Sequence, residues 1–299
     1  MKAVSPKAIL QSKWLIRVSF LCYMLIMYLF VTLRIEHIII GCIFIIATFF
    51  KERGLRFCHL AFPFVLAGLI YDNVRYFLSF RGSIHTEDLY LLEKQLFSVT
   101  VSGKDLILPE YFGKNHHPIL DVLCGFSYFI YVFEIPLLGI LLYFRNQSKM
   151  QLLGWAWVIM NLLGCITYIA YPAAPPWYIT KYGYEILDVN MPPDPAGAAR
   201  FDEITGLNLI HSLYQRSSNV FGAMPSLHAG NPFLAAVIIF ITFSTRWFIP
   251  SLLFALLVAF SAIYLQHHYI LDVLVGWVYS IFAFTITYWY FTKKPYHIH

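Results

Sequence analysis

The sequence predicts an all-α, polytopic membrane protein with about eight transmembrane helices, and three observations predict it. The chain of 299 residues is 59% hydrophobic and only 12% charged, against about 25% charged in a soluble protein. Its apolar residues gather into runs approaching the ~20 residues that a spanning helix needs. Aromatic residues reach 18%, which suits a protein with much membrane interface. No polar block is long enough for a separate soluble domain.

The apolar segments run over about 14–33, 35–50, 57–77, 118–144, 151–170, 226–243, 247–264 and 269–291. Open sheet edges are not tolerated in lipid, so these are helices. The first is followed by no small-residue cleavage site and is read as a retained anchor. The second is short and is either tilted or re-entrant. Pro136 should kink the fourth. The five cysteines lie in or beside these runs, away from the long polar loops, so no disulfide framework is expected.

Lys and Arg set the orientation. With a cytoplasmic N-terminus, the inside segments carry Lys2, Lys7, Lys13 and Arg17, then Lys51, Arg53 and Arg56, Arg145 and Lys149, Arg246, and Lys293 and Lys294. Arg34, beside Glu36, is the positive charge on a short outside loop. Three polar regions then share the non-cytoplasmic face, whether periplasmic or lumenal: 78–117, 171–225 and the turn 265–268. Within the first, Leu89, Leu92, Leu96 and Phe97 recur at helical spacing, predicting an amphipathic surface helix over 85–97. Thr86 is its expected cap, and Glu93 and Lys94 its polar side. The second opens with YPAAPPWY, which is incompatible with a regular helix or central strand. Its prolines and the Trp177–Tyr178 pair predict a stiff lid at headgroup level.

Two polar sequences interrupt this apolar chain where chemistry could occur. In HHYILD, His268 and Asp272 are four residues apart and share one helix face. An Asp that accepts from one ring nitrogen leaves the other as nucleophile or base. The competing reading is a polar pair that packs two helices. In FGAMPSLHAG, Pro225 fits a helix entry, and Ser226 and the first free N–H groups form an anion-favouring helix start beside His228. Alone, this is also an ordinary capping turn. Together they equip the chain for phosphoryl transfer. His268 would attack phosphorus, and His228 would protonate the leaving oxygen and then deprotonate the acceptor.

Pro225-Ser226-Leu227-His228, followed by Ser261, His268, Asp272, Val273 and Gly276, resembles the type 2 phosphatidic acid phosphatase (PAP2) superfamily. The PSLH form, the doubled histidine and the Ala174–Tyr178 APPWY stretch are similar to its inositol phosphorylceramide synthase branch. The resemblance covers roughly residues 60–290. It implies a six-helix catalytic core and transfer of a phospho-head group from a glycerolipid to a lipid alcohol. The implied partners are a phospholipid donor, a lipid alcohol acceptor and the membrane, with no nucleic acid and no cofactor. No protein partner is indicated. On this reading residues 1–56 form N-terminal transmembrane helices, 57–292 the catalytic membrane domain, and 293–299 a cytoplasmic tail.

The chain departs from the superfamily pattern in three places. Leu227 stands where glycine is usual, Ala262 where arginine follows the serine, and no Lys-x₆-Arg-Pro segment occurs. Other cations must then neutralise the phosphate. The candidates are Arg75, three residues after Asp72, together with Arg216 and His267. Their plainer readings are a snorkelling Arg, a solvated loop charge and a hydrogen bond to the lid. His116 and His117 read as a helix entry, and the spacing of Asp188, Asp194, Asp202 and Glu203 fits no calcium loop; no metal is expected. A lipid phosphate phosphatase with water as acceptor is the nearest alternative. A proton-relaying transporter would need charges across the bilayer midplane or an inverted repeat, and the sequence has neither.

Overall fold

The computed structural model describes residues 6–30, 33–214 and 219–293, with side chains from Lys13 onward apart from residue 30. Helices α1 (Pro6–Phe30), α2 (Ile35–Ala47) and α3 (Lys51–Asn73) come first, and α3 runs on as a 3-10 segment, Val74–Phe80. The surface helix α4 (Glu87–Phe97) precedes a small antiparallel hairpin, β1 (Val99–Val101) and β2 (Lys104–Leu106). Ser102 and Gly103 both have positive φ at its turn, as tight hairpins require. Then come α5 (Leu108–Lys114), α6 (Pro118–Ile130), α7 (Glu134–Arg145) and α8 (Gln147–Ala170). The lid carries α9 (Pro176–Tyr182), α10 (Ala199–Thr205) and α11 (Leu209–Tyr214). Helices α12 (Leu227–Thr242), α13 (Thr245–Tyr264) and α14 (Ile270–Lys293) close the chain.

Each predicted apolar segment contains a helix among its described residues. Five stretches are long and apolar enough to cross a membrane: Lys51–Phe80, Pro118–Arg145, Gln147–Ala170, Thr245–Tyr264 and Ile270–Lys293. Helices α2 and α12 are apolar but shorter. The core lies where α8 meets α3, α12 and α14, around Leu153, Met160 and Leu234, all fully buried. Large apolar side chains such as Leu137, Leu253 and Val278 point outward, which is stable only against lipid. The predicted kink takes the form of a 3-10 turn at Tyr131–Phe133. The Pro136 ring conflicts with the carbonyl four residues earlier, at Val132, so the helix yields there. All five cysteines are free.

Three local expectations are corrected. The stretch after Pro175 is helical, because Pro176 occupies the first turn of α9, where no N–H is needed. Trp177 and Tyr178 are buried in a cluster with Phe221 and Tyr269, so they hold the lid down from within. Thr86 makes no cap, and its hydroxyl donates to the Tyr184 carbonyl of the lid. Helix α4 turns Leu91, Leu92 and Leu96 outward and buries Leu89, Tyr90 and Glu93, so Glu93 is not on a solvated face.

Candidate active site

The doubled histidine is positioned by the end of α13. Gln266 adopts φ +67°, the left-handed conformation that commonly ends a helix. This reverses the chain so that the N–H groups of His267 and His268 both donate to the Ala262 carbonyl, at 3.0 Å each. Helix α14 then starts at Ile270, and the Asp272 carboxylate accepts the Tyr269 N–H at 2.8 Å.

His228 arrives from the other side, in the first turn of α12. Helices α12 and α14 cross closely because two glycines meet there. A Cβ on Gly276 would lie 2.3 Å from the Ser226 carbonyl oxygen, and one on Gly230 would lie 2.9 Å from the Gly276 carbonyl oxygen. Ser280 fastens the crossing by donating to the Gly230 carbonyl at 2.7 Å. Small residues with hydroxyl links are the usual means of close helix approach in lipid.

The result is a direct contact between His228 Nδ1 and His268 Nε2 at 3.0 Å. His268 Nδ1 lies 2.8 Å from the Ala223 carbonyl and 3.4 Å from Asp272 Oδ2. Both of those oxygens only accept, so Nδ1 carries the proton and Nε2 keeps its lone pair. His228 Nδ1–H then donates to that lone pair. The expected Asp272 partner is present, but the shorter bond to His268 goes to a backbone carbonyl that sequence motifs do not encode. Tyr128 stacks on His228, with ring centroids 4.4 Å apart and planes within 10°, and so limits how that imidazole can turn.

His228, His268 and Ala223 line a cavity of about 350 Å³, shared with Arg34, Asp72, Arg75, Tyr128, Tyr131, Tyr214 and His267 among others, and Asp272 lies behind its wall, fully buried. A wider cavity of about 1180 Å³ adjoins it through Arg75, Pro193 and Tyr214. Among the described lining residues of the inner cavity, Arg34 and Arg75 are the only lysines or arginines. Arg75 donates to the carboxylate and carbonyl of Asp72 at 2.8 and 3.0 Å. Arg34 reaches the same Asp72 oxygen at 2.6 Å. Arg34 was legible only as a loop charge. It belongs to the cavity because α2 packs against α3 and brings Arg34, at the start of α2, to Asp72.

The other candidates separate. His267 lines the cavity, but its Nε2 is 3.0 Å from the Pro195 carbonyl and 2.8 Å from the Tyr214 hydroxyl. Burial pushes its pKa down to about 3, so it is a neutral lid contact and not a cation. Ser226 is fully buried, and its hydroxyl accepts the Ala229 N–H. It caps α12 and is absent from the cavity lining, which corrects its expected place at the phosphate. Arg216 lies outside the described residues. His117 caps α6 by accepting the Ile119 N–H, and His116 pairs with buried Asp121. Glu93 holds α14 from outside. Its two oxygens accept the N–H groups of Ile270 and Leu271 at 2.8 and 3.1 Å, so α4 caps the helix that carries Asp272.

Comparison with known proteins identifies relatives of this chain. The chain is 36% identical to the phosphoinositol dihydroceramide synthase of Bacteroides thetaiotaomicron over 82% of its own length and 81% of the relative's. It is 33% identical to the inositol phosphorylceramide synthase of Candida albicans over 59% of its length. It is 32% identical to the catalytic subunit of that name from Saccharomyces cerevisiae over 60% of its length. The matches span 38% and 45% of those two fungal proteins. No solved structure matches. The profile described as the PAP2 superfamily matches residues 110–286, which contain both histidines and Asp272. The lipid-facing helices, the apposed histidines and this match over more than half of the sequence agree, and the chain belongs to the PAP2 superfamily.

Proposed function

We propose that the protein transfers a phosphoinositol-type head group from a phosphatidyl lipid to a ceramide-like lipid alcohol through a phosphohistidine. The observation that carries this is the contact between His228 Nδ1 and His268 Nε2, with His268 Nδ1 tied to Ala223 and Asp272. It leaves one nucleophilic nitrogen, with a proton donor already beside it.

In the first step the donor phosphate enters between the two rings. The His268 Nε2 lone pair forms the N–P bond, and the P–O bond to diacylglycerol breaks. The departing oxygen takes the His228 Nδ1 proton, and diacylglycerol leaves. Ala223 and Asp272 hold the Nδ1 proton and offset the positive charge on the phosphorylated ring. In the second step His228 removes the proton of the acceptor hydroxyl. The hydroxyl oxygen attacks phosphorus, the N–P bond breaks, and His268 regains its lone pair. The lid, held by the buried Trp177 and Tyr178 and by the Pro195 contact to His267, would keep water from acting as acceptor. Arg75, steadied by Asp72, faces the same cavity and would balance phosphate charge. The Lys and Arg distribution supports a non-cytoplasmic position for this end of the bundle.

The named activities of the bacterial and fungal relatives support this reading. The test is the purified protein in mixed micelles with a chelator and labelled phosphatidylinositol, with and without ceramide. A more polar phosphosphingolipid formed only with ceramide is expected. Release of water-soluble inositol phosphate regardless of ceramide would replace the transferase with a hydrolase.

A further inference from the structure

Both lipid phosphates that pass through the proposed reaction are anionic, and the inner cavity has two arginines to meet them. Arg34 and Arg75 come from separate places in the chain, the α1–α2 connection and the end of α3. Both lie outside residues 110–286, so the family profile does not point to them. Asp72 draws them together. It accepts from Arg34 Nη1 at 2.6 Å, from Arg75 Nη2 at 2.8 Å, and from His37 Nε2 at 3.2 Å. The His37 ring is oriented by the Arg34 backbone N–H, which donates to its Nδ1 at 3.4 Å. Glu36 lies 3.4 Å from Arg34 Nη2.

A guanidinium has five N–H donors. Each arginine uses two of them in these bonds, leaving three on each without a partner among the described residues. The two arginines and Asp72 are each about a quarter exposed, which keeps them solvated at the cavity wall. A carboxylate that shares one oxygen between two guanidiniums occupies them much as a phosphate oxygen would, and it holds them at the spacing a phosphate needs.

Resting on the transferase reading, we propose that Arg34 and Arg75 form a phosphate-ester seat, with Asp72 as the counterion that the incoming phosphate partly replaces. This assigns to Arg34 a part of the role that the superfamily's absent Lys and Arg would have filled. It also gives the N-terminal helices a task in binding the donor, since Arg34 lies between α1 and α2.

The full chain in detergent tests this through initial rates. Donor is varied at fixed ceramide, and ceramide at fixed donor, in wild type, Arg34→Gln and Arg34→Lys. Loss of one charge-assisted contact should raise the donor KM about tenfold in Arg34→Gln, with the ceramide KM unchanged. Arg34→Lys should recover part of the loss, because charge returns without the fork. An unchanged donor KM in Arg34→Gln, or an equal rise for both substrates, overturns the seat. Inorganic phosphate provides an arm independent of the donor lipid. It should raise the melting temperature of wild type and not of Arg34→Gln, and it should act on Asp72→Asn at several-fold lower concentration. An equal response in wild type and Arg34→Gln overturns the seat, and no gain in Asp72→Asn overturns the counterion exchange. If wild type turns over no phosphatidylinositol, the donor assignment fails, and the phosphate arm still decides the seat.

Discussion

His267 and His268 are adjacent in the chain and belong to opposite sides of one cavity. His268 faces the crossing of α12 and α14, where Ala223, Asp272 and His228 take up its ring nitrogens. His267 faces the lid, where Pro195 and Tyr214 take up its Nε2 and Tyr128 and Tyr214 stack on its ring. The crossing is built from helices, glycines and short contacts, and it presents a free lone pair to a proton donor. The lid side is built from loop carbonyls and aromatic rings, and it neutralises and immobilises the imidazole it receives. The same side chain thus takes the place of the proposed nucleophile in one setting and fastens the lid in the other, and the two settings are separated by the left-handed turn at Gln266.

The largest expected effect is at His268. His268→Ala should abolish transfer and any acid-labile phosphoenzyme, and substantial residual turnover would end the covalent mechanism. His228→Ala should retain the nucleophile and lose about 10²–10⁴-fold in turnover, the range of general acid–base catalysis. A rate close to wild type there would mean that another group handles the proton.

Gly276→Ala sharpens the contrast from the packing side. Its new methyl meets the Ser226 carbonyl at 2.3 Å, and overpacking of this kind costs about 1–3 kcal/mol. The α12 start should move away from α14, lowering both the melting temperature and kcat. The same substitution at Gly68 inside α3, where a Cβ meets nothing within 4 Å, should lower neither, since alanine is the better helix former. Equal effects at the two glycines would break the link between crossing and catalysis.

Glu93 tests whether the crossing is also held from outside. Glu93→Ala leaves two buried N–H groups of α14 without their acceptor, at about 1–3 kcal/mol each. Glu93→Gln should keep one of the bonds and an intermediate melting temperature. Burial pushes the Glu93 pKa from 4.5 up to about 7. A raised pKa means that the folded state binds the proton more tightly. Its contribution to stability is therefore fully present below about pH 4.5 and is lost as pH rises through about 7. Melting measured across that window should show this slope in wild type and not in Glu93→Gln.

The smallest effect is expected on the lid side. His267→Gln should lower transfer only several-fold, in keeping with loss of about one neutral hydrogen bond, and should raise the share of product made by hydrolysis. Because His267 is neutral above about pH 3, the substitution should leave the pH profile between 5 and 8 in place. A displaced profile would make His267 an ionising member of the site.

Much of this protein was legible from its residues. Apolar runs near the length of a bilayer can only be helices, so the fold class and the order of the helices follow from composition and spacing. His228, His268 and Asp272 stood out because ionisable groups are rare in such runs, and a spacing of four places His268 and Asp272 on one face. Periodicity also found α4, but it could not say which polar residue of that helix points inward. Glu93 is buried because two N–H groups from a helix 177 residues later need an acceptor.

What the tertiary structure decided are the contacts that cross long sequence distances or involve backbone atoms. The Ala223 carbonyl on His268 carries no side-chain signature. Arg34 reads as an ordinary loop charge until α1 and α2 fold against α3 and bring it to Asp72, 38 residues away. Ser226 and His267 were chemically suited to the phosphate, yet burial committed one to a helix cap and the other to the lid. Local pattern encodes what a residue can do within its own helix. Which of those capacities is used depends on the partners that packing delivers, since a buried polar group must be satisfied by whatever lies within reach.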